Sequence, residues 1–403
     1  MTRRTLAVNG DRRARILLGS RLGTFVLLAA VSCFTTADEG SGDDALIDAT
    51  RYLGALPTNA DKALGLQWLD DVEFAPALGE NQPVEFALDA PGTVTLELHA
   101  PDGEVVRTLL AEASFEVGVH APEWDGRDDA GAVVPDEAYV PVLHVRVDGG
   151  ERVVDDPRRY SGGEIVADLP WTLRGDTELS FEVPAPARVL IRAGIEEGPM
   201  LRELRHWTPV SAGRAVVRWD GRDADGVDAF ADRDDVWTVV MAYLLPEFTV
   251  IASGNDTIDY RDYRESRGWA MPVPDLSSAE LQRDGVRLSP DHFLPRNYLP
   301  RVSLAFEGAP EISRVGIPVV GDVVRFRVDV PDEDRWILDS TFYETGFYVD
   351  YAFRSEEEQG FVPMVWELDT SALEPGRHVA TVQLFGFGGF IASDTLEFLR
   401  RPD

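Results

Sequence analysis

The phrase Trp-Asp-Gly-Arg-Asp-x-x-Gly occurs twice in this chain, from Trp124 to Gly131 and from Trp219 to Gly226. Trp219 lies 95 positions after Trp124, and the same shift carries Phe86, Leu88, Pro91, Val94 and Leu96 onto Phe181, Val183, Pro186, Val189 and Ile191. Gly103, Arg107, Leu109 and Gly118 fall in turn on Gly198, Arg202, Leu204 and Gly213. Apolar positions meet apolar positions, and turn residues meet turn residues. An internal duplication limits the chain to folds that can be built twice over, so it is settled first.

Each copy opens on alternating apolar runs: Phe86-x-Leu88 and Val94-x-Leu96-x-Leu98, then Phe181-x-Val183 and Val189-x-Ile191. Strict alternation predicts half-buried strands. Ala90-Pro91-Gly92 and Ala185-Pro186-Ala187 break the runs, and Asp102-Gly103-Glu104 reads as a hairpin turn. Within the phrase, Trp124 and Trp219 are expected to plug one end of a sandwich core, each with one N–H to satisfy. Asp125 and Asp128, and in the second copy Asp220 and Asp223, suit turns in which a short carboxylate accepts backbone N–H bonds. Gly126 and Gly131, with Gly221 and Gly226, permit the reversal. A closing strand follows, from Tyr139 in the first copy and from Trp237 in the second, after a three-residue insertion.

The order of these pieces resembles the Ig-like domain of the flagellar hook-capping protein, the FlgD-type Ig family. Copy one keeps an Asp-Gly hairpin from Pro101 to Leu109, then Gly118-Val119-His120, then Trp124 to Pro135. Copy two keeps Arg202 and the Trp219 phrase, but replaces the terminal Val-Pro with Asp228-Ala229-Phe230. The likeness covers two spans of about 70 to 90 residues, each the size of a small domain. It implies a β-sandwich fold. It does not imply hook assembly, because fold does not fix function.

The chain carries 38 basic against 71 acidic residues, a net charge of −33, and Lys62 is its sole lysine. Such acidity argues against nucleic acid and anionic lipid as partners. It reads first as a soluble surface, and second as a means of recruiting a cationic partner or calcium.

The leader holds Arg3, Arg4, Arg12, Arg13 and Arg15 before an uncharged run from Leu22 to Cys33. That run is too short to span a bilayer and suits the core of a signal peptide, so the protein is expected to be exported to the periplasm or cell surface. Cys33 is the single cysteine, which excludes an intrachain disulfide and a Cys-based metal cluster. Ala30-Val31-Ser32-Cys33 resembles a lipobox with alanine where leucine is usual. This makes Cys33 a lipidation candidate, with cleavage after Ala37 as the competing reading. Any membrane association would run through that anchor alone.

The expected organisation is a signal peptide over 1–33, a linker with short helices over 34–71 and a first Ig-like domain over 72–147. A connector over 148–169 leads to a second Ig-like domain over 170–253. An extended linker with a small docking segment spans 254–300, and a third β-sandwich runs over 301–400. In the third unit, Val324, Phe326 and Val328 alternate with Arg325 and Arg327, while Phe347, Val349, Tyr351 and Phe353 form a second one-sided stripe. The fold class is therefore all-β: tandem Ig-like sandwiches after an N-terminal signal segment.

The motifs of catalysis are missing. Six scattered histidines form no His-Glu-x-x-His, and there is no Gly-x-Ser-x-Gly elbow or phosphate-cradling glycine loop. No enzyme activity and no cofactor are expected. Two features bear on binding. Asp125, Asp128 and Asp129, and their counterparts Asp220, Asp223 and Asp225, offer oxygen ligands for calcium, but miss the EF-hand spacing. The family resemblance gives the turns a purely structural role. Tyr348 falls opposite Phe347, beside Asp350 and Arg354, and is a candidate for an exposed stacking or anchoring face. The overall reading is a non-enzymatic structural and interaction protein built from Ig-like spacer modules, with a protein or a surface glycan as partner. Its alternatives are a carbohydrate-binding or adhesion module, and an accessory subunit of a secreted enzyme or redox complex.

Overall fold

The computed structural model describes residues 64–67, 72–147, 150, 152–166, 169–174, 177–269, 282–283, 286–289, 299–339, 342–386 and 390–401. The expected signal peptide, with Cys33, and most of the linker expected to carry short helices lie outside the described residues. Where that segment is described, Gly65–Leu66 is not helix but a strand, paired antiparallel with Phe86–Leu88. The buried Leu66 side chain explains the difference, because it completes the first core.

The first unit is a sandwich. Its smaller sheet orders Gly65–Leu66, Phe86–Leu88 and Gly118–His120. Its larger sheet runs Glu73–Phe74, Val250–Ala252, Glu137–Val147, Gly92–His99 and Val105–Phe115, with Arg152–Asp155 also pairing on Glu137–Val147. The alternation read from the sequence becomes burial: Val94, Leu96 and Leu98 turn inward to meet Phe86, Leu88, Tyr139 and Leu143. One strand breaks the expected boundaries. Val250–Ala252 was assigned to the second domain, yet it pairs antiparallel with Glu137–Tyr139 and parallel with Glu73–Phe74. Its three apolar residues are buried between the two neighbours, and that burial draws the chain back.

The second unit repeats the plan. Trp171–Arg174, Glu178–Val183 and Gly213–Arg218 make one sheet, and Ile165–Val166, Val236–Leu244, Ala187–Ile195 and Met200–Val210 the other. The copies agree down to their irregularities. The pairing of Gly92–His99 with Val105–Phe115 shifts register between Val94 and Leu96, and its counterpart shifts between Val189 and Ile191. Glu112 and Trp207 occupy equivalent positions and both adopt positive φ, 46° and 45°. Non-glycine residues rarely accept that conformation, and nothing in the aligned sequences signals it.

The third unit packs Ser303–Phe306, Val323–Asp329 and Met364–Asp369 against a six-stranded sheet. That sheet orders Glu311–Ile312, Pro318–Val320, Ile391–Arg400, Gly376–Gly386, Tyr343–Val349 and Ala352–Glu357. Phe326 and Phe347 flank Trp366 at centroid distances of 5.2 and 4.6 Å. The expected stripe from Phe347 to Phe353 is interrupted. Asp350 and Tyr351 form a two-residue hairpin turn with φ of 51° and 67°, which sends Tyr351 away from this core into the second unit.

The three units are not independent beads. Arg188 of the second donates to Glu137 of the first and, at 3.0 Å, to the Trp207 carbonyl; both charged side chains are almost fully buried. Between the second and third, Gln383 accepts from the Met200 amide at 2.9 Å within a patch formed by Met200, Tyr348, Phe385 and Ile391. The helix Tyr260–Arg267 lies on the first unit, and its Arg261 ion-pairs with Asp334 of the third. Each unit thus touches both others. A buried ion pair loses most when only one partner is removed. Glu137→Ala is therefore expected to destabilise the first–second junction by about 3–5 kcal/mol, and Glu137→Leu with Arg188→Met to restore most of that. Denaturant unfolding of the native chain, Glu137→Ala and the double variant is the measurement.

Candidate functional site

The duplicated phrase folds into the same turn twice. The Trp124 indole donates to the Arg127 carbonyl at 2.9 Å, and the Trp219 indole to Arg222 at 2.7 Å. Asp125 accepts from the Arg127 amide and Asp220 from the Arg222 amide, each at 3.1 Å. The arginines then donate back across the loop, to the carbonyls of Gly131 and Gly226. At the base of the loop, Asp128 accepts from the Ala130 and Ala132 amides at 3.0 and 2.9 Å. Asp223 accepts from Val227 and Asp228 at 2.7 and 3.1 Å. Gly126 and Gly221, at φ of 67° and 80°, make the reversal that brings these amides inward.

The tryptophans are buried as expected. Trp124 sits 5.4 Å from Phe74 and 5.3 Å from Tyr139 by ring centroids, and Trp219 lies 5.0 Å from Phe230. Arg107 and Arg202, also matched by the repeat, tie each turn to its neighbouring hairpin through the carbonyls of Asp128 and Asp223.

Each turn also grips a later part of the chain. The hydroxyl of Tyr263 donates to Asp128 at 2.8 Å, and Arg267 pairs with the same carboxylate. At the Asp-Gly hairpin, Asp102 receives the Tyr260 hydroxyl at 2.6 Å and the wholly buried Arg264 guanidinium. Tyr260, Tyr263, Arg264 and Arg267 follow the i, i+3, i+4, i+7 spacing of one helix face, capped by Asp259 and closed by Gly268. That spacing was readable in the sequence. This helix lies within the stretch 254–300, expected as an extended linker. On the helix's other side, Asp334 takes three arginine bonds or pairs, from Arg301 and Arg261. Burial pushes the Asp334 carboxyl up, but hydrogen bonds from Arg301 and Arg261 outweigh it and hold the group at about 2.

The second turn grips the third sandwich instead. Tyr351 donates its hydroxyl to Asp228 and lies under the Arg233 guanidinium, 4.9 Å from ring centroid to carbon. Arg377 donates to the Val227 carbonyl at 3.2 Å, and Asp225 accepts from the Thr395 amide at 2.9 Å.

Neither aspartate trio gathers around an empty centre. Asp125 and Asp128 accept from backbone amides of their own loop, Asp129 accepts from the Thr108 amide, and the second trio is similarly engaged. Among the described residues no three His, Cys, Asp or Glu side chains are placed to hold a metal ion. Tyr348 requires a correction. It was expected as an exposed binding face, and it is only 1% exposed. It does lie opposite Phe347, but the second unit covers that face with Met200, Trp237 and Val239.

An open concavity lies elsewhere on the third sandwich. A groove of about 520 Å³ is lined by Arg335, Asp339, Phe342, Tyr343, Glu358 and Phe361. Phe342 is 83% and Phe361 53% exposed. Nothing local in the sequence marks either aromatic as exposed, because both lie just outside the strands Tyr343–Val349 and Met364–Asp369.

No family model and no curated protein matches this chain. Among solved structures, the fibronectin(III)-like modules of Clostridium thermocellum CbhA are 7% identical over 85% of this chain and 92% of theirs, with a TM-score of 0.18. The FN1–FN3 domains of chicken CNTN1 are 10% identical over 84% of this chain and 98% of theirs, at 0.16. An endo-β-1,4-mannanase from Thermotoga petrophila is 17% identical over 26% of this chain, a match spanning only 20% of the mannanase, at 0.18. Superpositions this shallow leave the all-β sandwich assignment resting on the strands and sheets described above. Among the described residues, no helix is long and apolar enough to cross a membrane.

The second turn carries a pH dependence. Burial and then the facing Asp394 carboxylate push Asp225 up to about 6, and Asp394 is raised as well, chiefly by burial. A carboxyl raised in the folded state holds its proton more tightly there than when unfolded. Its contribution is greatest in acid and is lost as pH rises from about 4 through 6. Asp225 keeps a solvent-facing side, which screens the effect. Asp225→Asn is expected to raise the melting temperature relative to the native chain at about pH 7.5 and to leave it nearly unchanged near pH 4. Differential scanning calorimetry of both proteins across that range checks the sign.

Proposed function

We propose that this chain is an exported, non-enzymatic structural and interaction protein. Its FlgD-type Ig-like copies work as a rigid scaffold and not as a string of spacers. The observation that carries this reading is the use made of the repeated turn. In both copies its carboxylates clamp a different later segment, the helix Tyr260–Arg267 in one case and the third sandwich in the other. With the Arg261–Asp334 pair closing the third side, the units support one another mutually. A serial spacer would leave those junctions polar and wet. Here they hold charges removed from water, which tolerate little relative movement. The motifs of catalysis missing from the sequence fit a protein that works by presenting surfaces.

The groove of the third sandwich favours a second reading, carbohydrate binding. Its volume falls in the range of small-ligand sites, and exposed Phe342 and Phe361 beside Asp339, Glu358 and Arg335 offer stacking planes with polar groups around them.

Two measurements test these readings. Cross-linking on intact cells followed by mass spectrometry is expected to recover one dominant protein partner. Recovery of envelope glycan alone would overturn the scaffold reading in favour of the second. On a glycan array, the carbohydrate reading expects a defined set of bound sugars that Phe361→Ala weakens at least about tenfold while melting is unchanged. An array without signal removes that reading.

A further inference from the structure

Beside the part of its face that the second unit covers at Tyr348, the hairpin Tyr343–Val349 and Ala352–Glu357 carries a group of carboxylates. Glu344 and Gly346 lie on one strand, Glu356 on the other opposite Gly346, and Glu358 just beyond its end. No arginine among the described residues ion-pairs with any of these three carboxylates. Burial, with Glu356 and Glu358 nearby, pushes the Glu344 carboxyl up, as crowding of like charges should. Tyr348 closes the same face. Its ring lies over Gly346, where an added Cβ would come within 2.9 Å of the Phe385 ring and 3.3 Å of the Tyr348 hydroxyl oxygen, so glycine suits the position. That hydroxyl is buried and makes no hydrogen bond among the described residues. A buried hydroxyl left unpaired is costly, and one facing a carboxylate group is completed by a donor that bonds both.

The adjoining backbone is open as well. Ala352–Glu357 is the last strand of the six-stranded sheet, and five of its six residues are exposed. An edge strand is a template for a further strand; this one carries Glu356 and Glu357 at one end, with Glu358 beyond, and Arg354 nearer the turn, so its acidic end favours a basic partner. This chain, at −33, disfavours pairing with a second copy of itself.

We propose that this edge receives an extended, arginine-bearing segment of a partner protein. The segment adds as a strand beside Ala352–Glu357 and places one guanidinium between Glu356, Glu344 and the Tyr348 hydroxyl. Arginine fits better than lysine. Its planar group has five donors and reaches a carboxylate and a hydroxyl at once, and the tyrosine oxygen supplies the acceptor. Phe353, packed edge-on against Tyr348 at 5.9 Å, offers the arginine stem an apolar wall. The inference rests on the scaffold reading for the existence of a partner. The two fail separately, because cross-linking could capture a protein bound elsewhere.

The test uses the full chain and a blocked hexapeptide of alternating arginine and valine, with a citrulline-for-arginine version as control. Calorimetric titration in about 0.15 M salt, where surface charge is largely screened, is expected to show saturable one-to-one binding. The citrulline peptide should bind at least about tenfold more weakly. Glu356→Gln and Tyr348→Phe should each weaken arginine-peptide binding several-fold, with melting temperature unchanged or raised. Bound peptide should slow hydrogen exchange at the amides of 352–357. The proposal is overturned if no saturable binding occurs or if citrulline binds equally well. It is also overturned if Glu112→Gln, an exposed acid on the first sandwich, weakens binding as much as Glu356→Gln.

Discussion

The architecture depends on how an aspartate closes a tight loop. Asp128 gathers two backbone amides with one oxygen and keeps the other for Tyr263 and Arg267. Two amides, a hydroxyl and a guanidinium satisfy a carboxylate that is scarcely exposed, so the helix helps to complete the loop. The second copy differs in detail. Asp223 directs both oxygens inward, and the neighbouring Asp225 and Asp228 reach outward to the third sandwich. One loop geometry thus serves two attachments, because its interior is fixed and its rim is free to vary.

The junctions are held largely by charge. Arg188 with Glu137, Arg264 with Asp102, and Arg261 with Asp334 are all drawn mostly out of water. Such pairs add little net stability compared with apolar packing, since desolvation offsets most of the attraction. They do make misplacement costly, because a shifted junction leaves an ion without its partner. A strongly acidic chain that uses arginine almost exclusively as its cation suits this arrangement: the planar guanidinium can satisfy several acceptors at one buried point.

Much of this was legible in the sequence, and the failures share one cause. Alternation placed Val94, Leu96 and Leu98, and the repeat placed Trp124 and Trp219, because those signals concern a strand and its own core. Tyr348 was assigned correctly to the face opposite Phe347, but no local pattern reveals that another sandwich covers that face. Arg188 looks like an outward charge on an alternating strand, yet it is buried against Glu137 of the first unit. The strand Val250–Ala252 looked like the tail of the second unit because it follows it, and only its pairing shows otherwise. The bulges at Glu112 and Trp207 left no residue type to announce them. In each case the missing information was which surface meets which.

The return of Val250–Ala252 makes the second sandwich an insertion within the first. During synthesis from the N-terminus, residues 72–155 emerge with the edge of Glu137–Tyr139 and the edge of Glu73–Phe74 both open, and they stay open until about a hundred further residues follow. The first unit cannot be finished before the second has been delivered. Folding therefore runs as a nested assembly in which the inner module folds while the outer waits.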